Sequence, residues 1–237
     1  MMNKIKAAIA VVSLLGCMSN ASAQVGDKRN DFSVGVSAGY TMNTMSFVPK
    51  IKQAQKGSPT FGFASRYICE KYFSTICGVQ VELQYNNLGW KEIIEDNSDN
   101  TYYRDMKYLQ VPILMQMGWG KEQNGLKFLF EAGPQFGMFL SDTEHMGGEG
   151  VWFPYNRPNG VNAQYGLEVD NKLEYGIAAG LGMEFSNPLG HFLLQGRYYY
   201  GLGDAFDNSK RGKFGRSASQ TIGVRLTYLF DIVKTKY

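Results

Sequence analysis

Long apolar runs are missing from this sequence once its first two dozen residues are set aside. No later segment has the roughly 20 consecutive apolar residues that a membrane-spanning helix needs, so any passage through a membrane must be made by strands. Histidine is also scarce, with two residues, and cysteine, with three. So few imidazole and thiol groups leave little material for a zinc site or a histidine-based active site.

The N-terminal residues have the pattern of a secretory signal peptide. Lys4 and Lys6 supply a positive region, residues 7–18 are apolar, and Ala21-Ser22-Ala23 is a small-residue cleavage site. We expect cleavage after Ala23, so that residues 1–23 are a signal peptide and the mature chain begins at Gln24. The sequence therefore predicts export from the cytoplasm.

The predicted mature chain, residues 24–237, is almost neutral. The 24 basic residues of the full sequence fall to 22 when Lys4 and Lys6 leave with the signal peptide, against 21 acidic residues. This balance gives no support for nucleic acid as a partner. No linker rich in proline or serine divides the chain, and its length suits one domain.

The cysteines leave two alternatives open. Leu14-Leu15-Gly16-Cys17 resembles a lipoprotein cleavage box, in which Cys17 would be a lipidation site, although the site at Ala23 fits an ordinary signal equally well. Cys69 and Cys77 lie eight positions apart, around a predicted tight connection. In an oxidising periplasm they could form a disulfide, or they could stay as two thiols. No histidine lies near them, which disfavours a structural zinc site, and we predict no bound metal or cofactor.

Eight segments alternate between apolar and polar residues with a period of two, the period of a β-strand whose faces meet different media. In residues 79–86, for example, Val79, Val81, Leu83 and Tyr85 lie on one face. Strands of about 10 residues suit a tilted crossing of a bilayer. The eight predicted strands cover residues 31–42, 59–69, 77–90, 107–118, 126–140, 172–185, 190–201 and 219–230.

The predicted connections alternate in length. Those at 70–76, 119–125 and 186–189 are short, whereas those at 43–58, 91–106, 141–171 and 202–218 are long. Outer-membrane barrels have short periplasmic turns and long external loops. With the N-terminus in the periplasm, every long connection falls outside. The pattern therefore predicts an all-β fold, an eight-stranded antiparallel up-and-down transmembrane barrel.

A soluble sandwich or lipocalin-type barrel would also alternate, but its apolar face would point inward. The small and charged second face and the alternating connection lengths favour the membrane barrel. Pro112 and Pro134 remove backbone donors from two predicted strands, which a bulge or a strand end would tolerate. Aromatic residues near predicted strand ends suit interfacial girdles: Tyr67, Tyr72, Trp90, Tyr108, Trp119, Tyr198 and Tyr228.

Several glycine-rich segments resemble the porin-T-like outer-membrane β-barrel family of the Bacteroidota. They are residues 108–114 (YLQVPIL), 131–137 (EAGPQFG), 175–182 (YGIAAGLG) and 197–203 (RYYYGLG), with a closing strand that ends at Phe230. The resemblance covers nearly the whole mature chain. The resemblance implies an eight-stranded barrel. The founding member of the family is linked to protein secretion. Residues 231–237 extend beyond the usual aromatic terminus of such barrels.

Charged side chains on the second faces should point into the lumen, which side chains just fill in an eight-stranded barrel. Because an uncompensated buried charge is costly, they should pair. We expect the three arginines to bridge to the three glutamates as a structural salt-bridge network: Arg66, Arg197 and Arg225 with Glu82, Glu131 and Glu184. Glu174 also lies on a second face, without a predicted partner.

An enzymatic alternative would use His145, which follows Ser141 and Asp142 in the longest external loop and could serve acyl transfer at the outer leaflet. Nearness in sequence is not triad geometry, however. His191, beside a short turn, is expected to be structural. We predict no enzyme activity.

The external loops offer two further binding hypotheses. Oxygen-rich residues 95–100 and 204–208 could hold calcium, but both lack the spacing of a complete binding loop, and we predict solvated turns. The loop at 141–171 carries aromatic residues that could bind a partner or fold over the barrel mouth: Trp152, Phe153, Tyr155 and Tyr165.

The sequence thus predicts a non-enzymatic integral outer-membrane barrel with a structural or interaction role through its external loops and rim. Its expected partners are outer-membrane lipids and other envelope proteins. One alternative is a component of a protein secretion machine. The other is a lipid-modifying enzyme of the outer leaflet.

Overall fold

A computed structural model describes residues 26–122, 124–148, 152, 155, 157, 160–209 and 212–235. The predicted signal peptide and Cys17 lie outside the described residues. Ten strands follow one another along the chain: β1 (Asp27–Val48), β2 (Gln53–Ala54), β3 (Lys56–Tyr72), β4 (Thr75–Asn87), β5 (Trp90–Glu92), β6 (Thr101–Gly120), β7 (Gly125–Gly147), β8 (Leu173–Asn187), β9 (Gly190–Gly201) and β10 (Arg216–Val233).

Eight long strands form a closed ring. Their order is β6-β4-β3-β1-β10-β9-β8-β7, and β7 pairs with β6 to complete the circle. Every pairing in the ring is antiparallel, and the first and last strands meet with Val36 opposite Tyr228. The eight-stranded up-and-down barrel predicted from the alternation is confirmed. Among the described residues, no helix is long and apolar enough to span a membrane.

The strands extend further at one end than the sequence pattern indicates. β1 has 22 residues, β6 20 and β7 23. At this end β2 and β5 add a short ladder to β6, within segments that were predicted as loops. The apolar alternation stops where the outer face reaches water, but backbone pairing continues beyond it, as with Ser46 opposite Ala218. We call this end of the barrel the external end.

The short connections all lie at the opposite end, as predicted. Residues 73–74, 121–124 and 188–189 link successive strands there, whereas residues 148–172 and 202–215 connect strands at the external end. Gly190 opens β9 with φ of 147°, a left-handed conformation that favours glycine. The alternation of connection length therefore matches a chain that crosses the bilayer eight times.

The outer wall of the ring is apolar and the inner wall is polar. Phe63 is 67 % exposed and Leu181 69 %, and both lie in the middle of the wall. A continuous belt of such side chains suits lipid and excludes the soluble alternative, in which they would be core. Of the predicted girdle, Tyr67, Tyr72, Trp119 and Tyr198 are exposed, but Trp90 and Tyr108 are fully buried because both point inward above the belt.

The two prolines lie where the ladders are interrupted. Pairing between β6 and β7 stops at Pro112 opposite Gln135 and resumes at Met115 opposite Ala132. Here a Cβ on Gly133 would lie 2.0 Å from the carbonyl oxygen of Ile113, so the two backbones approach closely. A local break in pairing accommodates the missing donors, as expected.

Candidate functional site in the lumen and the external cap

Four charged side chains form a cluster in the middle of the lumen. Arg197 Nη2 lies 2.9 Å from Glu82 Oε1, and Arg197 Nε donates to Glu131 Oε1 at 2.8 Å. Arg225 Nη1 lies 2.8 Å from the second oxygen of Glu82. We call these residues the central cluster; Glu82, Glu131 and Arg225 are buried, and the Arg197 side chain is 9 % exposed. With two acids and two bases, the cluster has no net charge.

Glutamine amides satisfy the remaining carboxylate oxygens of the central cluster. Gln116 and Gln195 donate to Glu131 Oε2 at 3.1 and 2.7 Å. Gln80 and Gln84 donate to the two oxygens of Glu82. Buried charge is tolerated where each oxygen and proton has a partner. The inward face therefore supplies both the ions and the hydrogen bonds that solvate them.

A second cluster fills the periplasmic end of the lumen. Arg66 Nη1 lies 2.7 Å from Glu184 Oε2, and Lys127 Nζ lies 3.0 Å from the other oxygen of Glu184. His191 bridges Glu184 at 2.6 Å and Asp231 at 3.0 Å. The structure thus brings the six predicted lumen residues into two separate groups. The sequence interpretation missed Lys127 and Asp231, although the inward alternation of their strands pointed to both.

Three small cavities lie beside the charged clusters of the lumen. They measure about 30 Å³ beside the central cluster and about 20 and 10 Å³ at the periplasmic end. Each has room for one or two water molecules. The side chains therefore close the barrel along its axis.

Above the apolar belt the inner wall changes from polar to apolar. Thr41 and Asn43 on β1 are followed on the same face by Met45 and Phe47. The inward side chains of the external end form one buried core, which we call the external cap: Met45, Phe47, Ile51, Leu88, Trp90, Tyr102, Met106, Tyr108, Val169, Ala205, Phe206 and Phe214. The cap closes the external mouth of the barrel with a hydrophobic core of its own.

Arg104 lies within the cap core. Its guanidinium carbon is 5.8 Å from the ring centre of Trp90 and 5.3 Å from that of Phe206. The charge is compensated by Glu144, 2.8 Å from Nη1, and by Asp142, both on β7. An arginine can stack on aromatic rings and bind carboxylates at the same time. Arg104 therefore ties the extended β6–β7 ladder to the cap.

The connection at 148–172 closes over the cap through Arg157. Its guanidinium stacks on Trp152 at 4.7 Å, donates to the Tyr165 hydroxyl at 2.7 Å and pairs with Asp96. Tyr165 in turn donates to Glu92 at 2.8 Å. We call these five residues the cap latch.

Burial raises the pKa of Glu92 above its ordinary value. The Ser98 hydroxyl and the Arg157 guanidinium hold the pKa of Asp96 below its own. The latch therefore contains one carboxyl group, Asp96, whose ionised form is stabilised by its partners, and one, Glu92, whose ionised form is penalised by burial.

The aromatic residues of the predicted partner-binding loop do not share one environment. Trp152 and Tyr165 pack on the cap at 5.2 Å from one another. Tyr155 is 81 % exposed. Phe153 lies outside the described residues. The loop therefore folds over the mouth and also presents an aromatic side chain to the exterior.

The residues of the enzymatic alternative are not assembled. Asp142 points inward to Arg104, whereas His145 points outward, stacks on Tyr103 at 4.3 Å and contacts Asp105 through Nε2 at 3.0 Å. His191 is near the Ser186 hydroxyl, but both of its ring nitrogens contact carboxylates and Ser186 is buried. Both ring nitrogens of His191 are therefore occupied, and His145 and Asp142 lie on opposite faces of β7, so the predicted group of Ser141, Asp142 and His145 is not brought together.

The oxygen-rich loops use their carboxylates for turns. Asp96 accepts the backbone amide of Ser98 at 3.0 Å, and Asp207 that of Ser209 at 2.9 Å. Asp204 accepts the amide of Ser217 at 2.6 Å. Across the described parts of the chain, no group of three or more histidine, cysteine or acidic side chains could hold a metal ion.

Cys69 and Cys77 are free thiols in this structure. A register shift between Ile68 and Glu70 places Glu70, not Cys69, opposite Cys77. The Cys69 Sγ contacts the carbonyl oxygen of Cys77 at 3.4 Å. The disulfide stays a prediction.

Comparison with known proteins gives one family match. The profile of the outer membrane protein β-barrel domain family matches residues 22–207. No curated protein sequence matches the chain. Among solved structures, the attachment invasion locus protein Ail of Yersinia pestis is 15 % identical, with a TM-score of 0.36 over 84 % of this chain and 98 % of that one. Neisserial surface protein A is 12 % identical, with a TM-score of 0.37 over 84 % and 97 %.

Proposed function

Because this chain belongs to the outer membrane protein β-barrel domain family, we propose that it is a closed, non-enzymatic barrel of the bacterial envelope that acts through its external cap. The observation that carries the proposal is the cap itself. Strands β1, β6 and β7 continue beyond the apolar belt, and a second hydrophobic core lies there. A barrel needed only as a membrane anchor has no use for such a core.

Two features support a non-enzymatic role. The charged groups of the central cluster bind one another, and both carboxylates accept hydrogen bonds from arginine and glutamine side chains. Both histidines are held by carboxylates. The surface that faces the exterior is that of the cap, and it includes Tyr155 and the outward face of β7. Outer-membrane lipids around the belt and other envelope proteins at the cap are the partners we propose.

A second candidate is a component of a protein secretion machine, as the resemblance to porin-T-like barrels implies. Apolar side chains at two periplasmic turns favour it. Phe73 is 77 % exposed and Leu189 78 %, each at the tip of a tight turn. Apolar tips on polar turns suit contact with another protein at the periplasmic face.

Co-purification from native outer membranes in mild detergent distinguishes the two. Three tagged forms are compared: the natural chain, a cap variant in which residues 149–160 are replaced by a Gly–Ser linker of equal length, and a turn variant, Phe73→Ser with Leu189→Ser. The cap proposal expects a partner near equal stoichiometry that the turn variant retains and the cap variant loses. The opposite pattern supports the secretion machine.

Recovery of the barrel alone in all three forms would contradict both candidates. Heat-modifiable migration on gels checks that each variant is folded. Under the cap proposal, a partner that stays bound to the turn variant shows that the purification preserves the contact. Its loss from the cap variant, which is purified from the same membranes, is then due to the change in the cap.

A further inference from the structure

Just above the apolar belt, one side of the outer wall carries basic side chains. Lys107 faces outward, because both of its neighbours in β6 are buried in the cap. Lys91 likewise faces outward on β5 and is exposed. On β1, by contrast, the outward positions above the belt hold the uncharged residues Thr44 and Ser46. Positive charge at this height is therefore concentrated on one part of the rim.

The acidic side chain in this part of the rim is already paired. Asp105 contacts Lys56 and also Nε2 of His145, the latter at 3.0 Å. Lys91 and Lys107 form no ion pair within the described part of the chain, since Asp105 is taken by other groups. We call these five residues the basic sector. It presents two positive charges without an acidic partner, which attract an anion.

The height of Lys107 on the wall is that of lipid headgroups. The outward residues of β6 are apolar from Trp119 to Leu109, and Lys107 is the next outward residue. Lys107 lies opposite the polar residues Asn87 on β4 and Ser141 on β7. This row is the first polar one above the belt. A lysine at such a border places its ammonium group among headgroups.

Below this row the wall has an apolar groove. It measures about 520 Å³ and lies within the belt, where Phe63, Leu83 and Val111 are among the residues that line it. Ser65, a small outward residue of β3, leaves a depression between these larger side chains. Its hydroxyl donates to the carbonyl oxygen of Val81 at 3.2 Å. The groove can therefore accept an apolar chain without burying a free hydroxyl group.

The groove and the basic sector are close enough for one lipid molecule to contact both. Val111, which lines the groove, and Lys107 are four residues apart on the outward face of β6, or about 13 Å along the strand. Each half of the hydrocarbon layer is about 15 Å deep. A lipid whose headgroup lies at Lys107 can therefore place an acyl chain in the groove.

We propose that Lys107 and Lys91 bind the anionic phosphoryl headgroup of one outer-leaflet lipid, with an acyl chain of that lipid lying in the groove. Lysine is a common phosphate ligand. A zwitterionic headgroup brings its own cation beside the two ammonium groups and is therefore disfavoured. This inference deepens the lipid contact proposed above and rests on the same position of the barrel in the outer membrane.

Native mass spectrometry of the refolded chain in detergent tests the proposal. Dioleoyl phosphatidic acid, dioleoyl phosphatidylcholine and inorganic phosphate are titrated separately. The two lipids have the same acyl chains and differ in headgroup charge, whereas inorganic phosphate has no acyl chain. The natural chain should bind phosphatidic acid about tenfold more tightly than phosphatidylcholine, or more, and should not retain inorganic phosphate.

Five variants locate the site. Lys107→Gln should weaken the binding of phosphatidic acid about fivefold, and Lys107→Gln with Lys91→Gln about thirtyfold. Lys213→Gln is the matched control, because it removes an exposed lysine from the connection between β9 and β10. Ser65→Leu fills the groove and should weaken the binding of both lipids. Ala179→Leu adds similar bulk to the outward face of β8 and should weaken neither.

Equal affinities of the natural chain for the two lipids would overturn the proposal. So would an affinity for phosphatidic acid that the double lysine variant leaves unchanged. Retention of inorganic phosphate as tight as that of phosphatidic acid would overturn the role of the groove. The co-purification experiment detects a protein partner and this one detects a lipid, so failure here is distinguishable from failure of the cap proposal.

Discussion

Arg197 holds the central cluster together because one planar guanidinium serves two carboxylates. Nε contacts Glu131 while Nη1 and Nη2 contact Glu82. A lysine ammonium could not reproduce this fork. Arg225 adds the second positive charge on Glu82. Arg197 is therefore the basic partner of Glu131 and shares Glu82 with Arg225.

Arg197→Gln should destabilise the folded barrel by about 3–5 kcal/mol, because it leaves one uncompensated carboxylate in the lumen. The measurement is the free energy of unfolding by guanidinium in lipid vesicles. Adding Glu131→Gln restores a neutral central cluster with one acid, Glu82, and one base, Arg225, and should recover part of the loss. Arg216→Gln, at the external rim against Tyr200, should cost about 1 kcal/mol or less. A double variant as unstable as the sum of its single changes would contradict the network.

The alternation of residues predicts which side chains face the lumen, and all six predicted lumen residues do. It does not give their height along the barrel axis, which depends on strand register. Arg66 and Arg197 therefore lie in different clusters although the sequence treats them alike. Register follows from pairing between strands, such as β1 with β10, and a period of two fixes it only to within an even number of residues.

At the scale of elements, the external cap depends on strands that extend beyond the bilayer. β6 and β7 stay paired up to Thr101 opposite Gly147, well past the apolar belt. The sequence did not predict this extension, because the signal used was apolar side chains facing lipid. Above the belt the inward face of β1 becomes apolar at Met45 and Phe47, which reverses the pattern without ending the strand. A period-two pattern locates a lipid-facing belt better than it locates the end of a strand.

Glu92→Gln should stabilise the cap latch at pH 8. The pKa of Glu92 is raised by burial, so the folded cap binds this proton more tightly than the unfolded chain does. Its favourable contribution is present at pH values below the ordinary pKa of glutamate and is lost as the pH rises through the raised pKa. The amide can still accept from Tyr165. We expect the backbone amides near Tyr165 to exchange a few-fold more slowly, on the order of 1 kcal/mol.

Amide hydrogen exchange of the natural chain and of Glu92→Gln is measured at pH 8 and again at pH 4. The difference should shrink at pH 4, where the carboxyl is protonated. Asp96, whose pKa is lowered, shifts stability in the opposite direction but equally in both proteins. Faster exchange in Glu92→Gln at pH 8 would show that the ionised carboxylate strengthens the latch.

At the scale of the whole molecule, the chain closes its lumen twice by different means. The central cluster fills the bore with paired charges, and the cap fills the mouth with apolar side chains. The membrane barrel itself was predictable, because the outer face must match lipid along its whole height. The second closure was not, because it is built from loops and strand ends whose contacts are set by tertiary packing. The aromatic residues of the external loop indicated a closed mouth only as one of two alternatives, the other being the binding of a partner.

This double closure predicts an absence of channel activity. In a planar lipid bilayer the natural chain should produce no conductance steps above the leak of the membrane, because the cavities of the lumen hold only one or two waters each. Serine at all four positions of the central cluster, and at Arg66, Lys127 and Glu184 at the periplasmic end, opens the bore but leaves the cap in place, so this variant should also stay silent. Combining it with replacement of residues 149–160 removes part of the second closure and should give small steps. Regular steps from the natural chain would contradict a closed barrel. Steps from the serine variant alone would instead locate the seal in the charged clusters of the lumen and leave the cap free to act as a contact surface.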